Sequence, residues 1–408
     1  MRELKGKCKT FIELYSFFVI LYHFIYASGL LSWLGITIGG IHPAISVGLI
    51  LSILFLLFPY SKKARQTSIP WYDWILAVLC LIPTGYYALN FEMLLYSALT
   101  PNDFEVILGV VMIILCIEGV RRAIGLPLVI CGLIFVVYPL VANNLPGILF
   151  AAPVKFRRLI GYIYLGSQGF FSAGAQVFST TIITFVIFGQ LIAISGGGDF
   201  FLNLSLSAMG GRNGGPAKAA VIGSGLFGMI SGVAVANVVT TGSITIPMMK
   251  RKGYSPEFAG AVETVASTGG ALMPPVMGAL AFIMADYMGV PYWQIASAAI
   301  LPAVLYYVAV YLQVSFYSSR HRLGGLNTEE IPMLKKVLRD GWPFILPLFI
   351  MVYLFARYGW DAMRVGFTVI LVVAAIYFCQ SLFKRREKIG VPLKGVYHAF
   401  AGSAKSKA

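Results

Sequence analysis

Apolar residues run along this chain in long uninterrupted blocks, separated by short polar stretches. A helix needs about 20 such residues to cross the hydrocarbon core of a membrane. The pattern therefore predicts spans at 11–34, 42–59, 72–90, 104–120, 124–142 and 174–195. A broken region follows at 198–250, then a broken span at 255–289 and spans at 293–317, 341–358 and 363–383. Two-residue alternation is absent, which excludes a porin-like barrel. The predicted class is an all-α polytopic membrane protein with about 10–11 membrane segments. Two features stand out among them: a re-entrant helical hairpin and a proline-interrupted helix.

Composition sharpens this. Of 408 residues, 58% are hydrophobic and only 12% are charged, and mean hydropathy is +0.82. A soluble globule, a disordered chain and a disulfide-stapled domain are all excluded. The first apolar block is too long for a signal-peptide core and lacks a clear cleavage site, so it reads as a first membrane helix.

Net charge is +15, but the basic residues sit in clusters between apolar blocks. These are Arg2/Lys5/Lys7/Lys9, Lys62/Lys63/Arg65, Arg121/Arg122, Lys250/Arg251/Lys252 and Lys384/Arg385/Arg386/Lys388. The positive-inside rule explains that pattern better than nucleic-acid binding. It places the N-terminus, the 62–65 loop and Arg121/Arg122 inside, and the uncharged 35–41 and acidic 91–103 loops outside. Lys155, Arg157 and Arg158 break the alternation, and an interfacial helix would account for them. The run Trp71–Trp74 after Pro70 reads as an interfacial aromatic belt at a helix start.

Cys8, Cys80, Cys116, Cys131 and Cys379 form no C-x-x-C pair, and His23, His42, His321 and His398 are far apart. Neither set suggests a metal centre or a disulfide framework. Glu263, Asp286 and the scattered histidines make no acid–base constellation, so no enzyme and no organic cofactor is expected.

From Ser195 to Gly289 the chain turns rich in Gly, Ala, Ser and Thr while staying apolar. Within it, Ala219–Lys250 reads as two short apolar stretches, 219–230 and 234–249, joined at Ser231-Gly232. Such a pair suits a re-entrant hairpin, whose irregular tip needs protein or a water-filled cavity around it. Ser231, Asn237, Thr240 and Thr241 supply hydroxyl and amide oxygens suited to an alkali cation or a polar substrate. A glycine-rich packing helix with Ser and Thr bonded to their own backbone fits this segment equally well.

In Glu263–Asp286, Ser267-Thr268-Gly269-Gly270 precedes Pro274-Pro275. Two prolines cannot both continue the helical ladder, and the freed carbonyls form an oxygen-rich nest for a cation. Glu263 is an intramembrane acid and a candidate for a direct role. The connection Gly210–Lys218 lacks the spacing of a phosphate loop and reads as a loop before the hairpin.

At these residues a resemblance emerges. GGPAKAAVIGSGLFGMISGVAVANVVTTGSITIPMMKRKGYSPEFAGAVETVASTGGALMPPVMGALAFIMAD closely resembles the fused permease of TRAP transporters, the tripartite ATP-independent periplasmic type, and within it the TAXI branch. PWYDW, the stretch Glu118–Arg122 and IPMLKKVLRDGWPFILPL also look like that branch. The resemblance implies a multi-pass permease component of a bacterial or archaeal cytoplasmic (inner) membrane. Such a component imports small organic acids, typically carboxylates, in symport with Na+ as the coupling ion. It implies a periplasmic substrate-binding protein of the TAXI type as partner, membrane lipid around it, and elevator-type transport. By motif, Ser231, Gly232 and Asn237 fall at the first hairpin tip. Gly270, Met273 and Pro275 fall where backbone carbonyls face the family's first sodium site. Ser267, Thr268, Thr240 and Glu263 are the substrate candidates, and Ser267 and Thr268 could instead complete that sodium site. Val233 departs from the small polar residue usual in the branch.

The same resemblance divides the chain into small-subunit-like scaffold spans over 1–145 and the first-repeat part of a large transport subunit over 146–408. A second repeat is expected beyond residue 383 and is not evident. The expected function is therefore a sodium-coupled importer component that is incomplete alone. The alternative is a truncated or split, non-transporting membrane subunit needing a second-half permease polypeptide.

Overall fold

The computed structural model describes residues 2, 4–36, 38–61, 67–97 and 100–383. The Lys62/Lys63/Arg65 and Lys384–Lys388 clusters, the Cys379 side chain, His398 and the stretch where a second repeat was sought lie outside those residues. The described chain is helical throughout, with no strand. Six of its helices are long and apolar enough to cross a membrane: Gly6–Ala27, Trp71–Leu89, Leu126–Asn144, Ala173–Ile194, Tyr292–Arg320 and Thr328–Tyr358. The polytopic all-α reading is borne out. Two compact units divide between Ser179 and Thr180.

In the first unit, α1 (Gly6–Ala27) is followed by α2 (His42–Leu57), α3 (Trp71–Leu89), α4 (Asp103–Ala123), α5 (Leu126–Val141) and α6 (Phe156–Tyr164). The buried residues of α1 are Ile12, Ser16, Val19, His23 and Ala27, one stripe at helical spacing. The predicted first span ran to 34, but Gly29 at φ 73° stops the helix, and a short turn Leu30–Trp33 follows. Helices α2, α3 and α4 pack on one another, and Gly109 of α4 lets α6 approach through Ile160 and Tyr164. The Tyr164 hydroxyl donates to the Pro83 carbonyl at 2.6 Å. Helix α5 has a single buried residue, Val129, as expected of a helix apolar all round and bathed in lipid.

Basic residues far apart in sequence meet at one end of this unit. Asp73, at the start of α3, is fully buried and pairs with Arg2 and with Arg122, whose Nη1 lies 2.6 Å from Oδ1. Arg2 Nη1 also donates to the Leu56 carbonyl at 2.8 Å, and Arg122 Nη1 to that of Phe58 at 3.2 Å. The guanidinium groups thus cap the C-terminus of α2, where the helix dipole is negative. The Trp71–Trp74 run therefore holds a buried ionic anchor as well as exposed aromatics such as Trp71. Arg157 of α6, the exception to the charge alternation, pairs with Asp103 at the start of α4.

The second unit holds α7 (Ile183–Ile194), α8 (Gly197–Met209), α9 (Gly215–Ser231), α10 (Ala234–Arg251), α11 (Pro256–Gly269), α12 (Ala279–Met288), α13 (Tyr292–Arg320), α14 (Leu334–Tyr353) and α15 (Ala362–Phe383). Helices α9, α10 and α11 pack mutually, α8 and α13 back α9, and α13 also runs along α11 and α12. The region read as a flexible loop is shorter than expected. Pro216 and Lys218 already belong to the first turn of α9, and Lys218 is largely buried with Nζ 5.3 Å from the centre of the Tyr311 ring.

Candidate functional site

Helix α9 runs through Ser231 and stops at Gly232, whose backbone is left-handed at φ 60°. That is the usual helix terminator, and its amide caps the Gly228 carbonyl at 2.9 Å. Val233 is extended, and α10 begins at Ala234. The turn is thus Gly232-Val233, one residue later than the spacing indicated. The arms have 17 and 18 residues, so the first is longer than the 219–230 stretch expected. Helix α11 starts on Ser255, whose hydroxyl accepts from the Phe258 amide at 3.2 Å, and Pro256 occupies its first turn. It ends at Gly269. Residues 270–278 are non-helical, with a cis peptide between Pro274 and Pro275.

Backbone meets backbone where the hairpin tip touches this break. A Cβ on Gly228 would lie 2.6 Å from the Gly270 Cα, and one on Gly232 would overlap the Met277 carbonyl oxygen. The Val276 amide donates to the Met229 carbonyl at 3.2 Å. The small residues of this region therefore serve close approach at defined points.

Some carbonyls released by the break find donors. Met273 N donates to Gly270 O at 3.2 Å, and Gly278 N to Ala271 O at 2.8 Å. Helix α13 supplies three tyrosines: Tyr306 to Val265 O, Tyr307 to Ala266 O (both 2.8 Å), and Tyr292 to Pro275 O at 3.0 Å and Val276 O at 2.6 Å. Among the described residues no donor reaches the carbonyls of Leu272, Met273 or Pro274, and the buried Ser231 hydroxyl has no partner.

Tyr292→Phe isolates one contribution, because the ring keeps its stacking on Phe282, 4.3 Å between centroids. Two carbonyls lose their donor. Stability is expected to fall by about 1 kcal/mol, read as a lower melting temperature in detergent.

A second polar cluster lies deeper. Glu263 of α11 is fully buried. Its Oε1 accepts from Ser224 at 2.6 Å, Thr241 at 2.5 Å and Ser267 at 3.2 Å, and its Oε2 from Thr245 at 2.5 Å. Four hydroxyls meet a group with about four acceptor sites. Gly242 makes room, since a Cβ there would lie 2.9 Å from Glu263 Cγ. Asn237, also fully buried, donates Nδ2 to the Ser224 carbonyl at 2.8 Å, and its Oδ1 lies 3.3 Å from Thr241 Oγ1.

The structure places Ser231 and Gly232 at the tip, Asn237 in the first turn of α10, and Gly270, Met273 and Pro275 on the facing break. The substrate candidates part ways. Ser267 points inward to Glu263, Thr268 is exposed and donates to its own helix at Thr264 O, and Thr240 donates to Ala236 O and abuts Gly198 of α8. Asp286 is exposed in the last turn of α12. Ser224, Thr245, Gly228 and Tyr292 were not singled out from the sequence. Asn237, Thr241 and Thr245 recur every four residues, a polar stripe on α10 that could have flagged the last of them. In the first unit His23 and His42 do come together, with ring centroids 5.5 Å apart, but no cluster of three metal-ligating side chains exists among the described residues.

Buried polar side chains around an interrupted helix, in a chain with six membrane-length helices, define a polytopic membrane protein. Residues 110–408 match the family described as "Tripartite ATP-independent periplasmic transporter, DctM component". The chain belongs to that family, which consists of transporter permease components and not of enzymes. It is 28% identical over 168 residues to the uncharacterized protein YgiK of Salmonella typhimurium, covering 41% of this chain and 38% of that protein. It is 36% identical over 110 residues to the C4-dicarboxylate TRAP transporter large permease protein DctM of Vibrio cholerae, covering 27% and 24%. It is 29% identical over 159 residues to the isethionate TRAP transporter permease protein DctMQ of Oleidesulfovibrio alaskensis, covering 39% and 22%. The matched stretch is under half the length of each of these relatives.

Proposed function

We propose that this chain provides the ion-coupling part of a sodium-driven importer of small organic acids. It would sit in the cytoplasmic membrane of a bacterium or archaeon, fed by a periplasmic binding protein of the TAXI type. The observation that carries this reading is the buried, unpartnered Ser231 hydroxyl at a hairpin tip packed against a helix break. Neutral hydroxyl, amide and carbonyl oxygens at a discontinuous helix suit an alkali cation, and Ser231, Asn237 and the Met273 carbonyl offer that donor set. The hairpin arms would be about 26 and 27 Å long at 1.5 Å per residue, just under the roughly 30 Å core, as a re-entrant element requires. An elevator motion would carry hairpin and broken helix together. Relatives named for a dicarboxylate and for isethionate, a sulfonate, support an organic acid as cargo.

The test is uptake into proteoliposomes holding the complete transporter and its binding protein. Accumulation is expected with an inward sodium gradient and not with a potassium gradient of equal size. Equal uptake with potassium would overturn the sodium assignment. Ser231→Ala combined with Asn237→Ala is expected to raise the sodium concentration for half-maximal uptake about tenfold or more, with normal amounts of protein in the membrane. An unchanged sodium dependence would remove these residues from the site.

A further inference from the structure

Among the described residues Glu263 hydrogen-bonds neither Ser231 and Gly232 of the hairpin tip nor residues 270–278 of the break, yet it is the point where three elements meet. Ser224 comes from the first hairpin arm, Thr241 and Thr245 from the second, and Ser267 from its own helix one turn on. The two oxygens are not equivalent. Ser224 also holds Asn237, through its carbonyl, and Thr241, whose single hydroxyl proton goes to Oε1, packs against it one turn along the helix. The Asn237 amide nitrogen donates to the Ser224 carbonyl at 2.8 Å, and Thr241 Oγ1 lies 2.9 Å from the Asn237 carbonyl and 3.3 Å from its Oδ1. Among the described residues Thr245, on Oε2, makes no hydrogen bond with Asn237 and anchors only the far side of the carboxyl group. Asn237 in turn sits beside the Gly228–Gly270 contact of hairpin and break, its Nδ2 only 2.9 Å from where a Gly228 Cβ would lie.

We propose that Glu263 is a positioning residue for the cation site, fixing Asn237 through Ser224 and Thr241 without contacting the ion. In this role the acid locks both hairpin arms to the broken helix, so that tip and break keep their register. The ion-binding part of the inference rests on the sodium reading above; the grip on Asn237 rests on contacts within the second unit alone.

Two measurements separate them. Hydrogen exchange of the purified full chain is followed by mass spectrometry in sodium-free choline buffer. Glu263→Gln, which keeps the shape of the side chain, and Glu263→Ala should speed exchange in residues 233–241 by about tenfold. Thr245→Val should leave that stretch within about twofold of the unaltered chain. Sodium dependence of uptake is then measured in the complete transporter. Glu263→Gln, Ser224→Ala and Thr241→Val should each raise the sodium half-saturation about tenfold, with the half-saturation for the organic acid at saturating sodium within about twofold. Thr245→Val, equally buried, should lower the melting temperature without moving the sodium dependence. That split is what a merely structural acid would not produce. Unchanged exchange in the Glu263 variants would overturn the grip on Asn237. Unchanged sodium half-saturation, or an equal shift from Thr245→Val, would overturn the positioning role. Sodium-independent uptake by the unaltered transporter would overturn the functional reading and with it the ion-binding role, while the exchange result would still decide what Glu263 holds.

Discussion

Gly232→Ala is expected to abolish sodium-coupled uptake and to loosen the hairpin from the broken helix. Two costs combine. The residue sits at φ 60°, where an L-side chain costs roughly 1–2 kcal/mol. Its new methyl group would also overlap the Met277 carbonyl oxygen. Met277 cannot easily yield, because its own backbone is left-handed at φ 61°. Overpacking of a tight contact adds about 1–3 kcal/mol, giving a loss of roughly 2–5 kcal/mol for the pair of effects. Thermal unfolding in detergent and uptake in proteoliposomes both read it. Val233→Ala is the control: Val233 is extended and 41% exposed, and its replacement should leave both readings near those of the unaltered protein. Normal melting and uptake in Gly232→Ala would show that tip and break do not press together.

Asp73→Asn should be the most damaging polar substitution in the first unit. Both of its cationic partners are buried, with side chains 0% exposed for Arg2 and 1% for Arg122. Asparagine keeps the volume and removes the charge, leaving two guanidinium groups out of water around a neutral amide. Arg122 keeps Glu118, whose Oε1 lies 2.7 Å from its Nε, but Arg2 loses the only carboxylate it pairs with among the described residues. Removing one partner from a buried ion pair costs about 3–5 kcal/mol. The melting temperature reports it. Lys9→Gln, which breaks the exposed Lys9–Glu13 pair, should cost under about 1 kcal/mol.

Much of the architecture could be read from hydrophobic blocks, because length and apolarity are what membrane crossing demands. The interruptions at Gly232 and Pro274-Pro275 were equally visible, since glycine and proline act locally on the backbone. Helix ends moved where a single glycine decided them, as at Gly29. Convergence in space was less legible. Asp73 read as part of an aromatic belt because nothing in PWYDW says that Arg2 and Arg122 arrive there. Glu263 was singled out as an intramembrane acid, but its four hydroxyl partners come from three helices. Sequence spacing shows that Asn237, Thr241 and Thr245 share a face of α10. It does not show that this face meets Ser224 and Glu263, which depends on how closely Gly228, Gly242 and Gly270 let the helices approach.

The central proposal is that the hairpin tip and the broken helix together bind sodium. Hydrogen exchange of the unaltered full chain, compared in sodium and in potassium at equal ionic strength, tests it directly. Binding to the native state slows the openings that expose amides. The account predicts that sodium, and not potassium, slows exchange in 228–240 and in 268–279 together, with the same half-saturating concentration for both. Slowing in neither stretch, in one alone, or equally with potassium would contradict it.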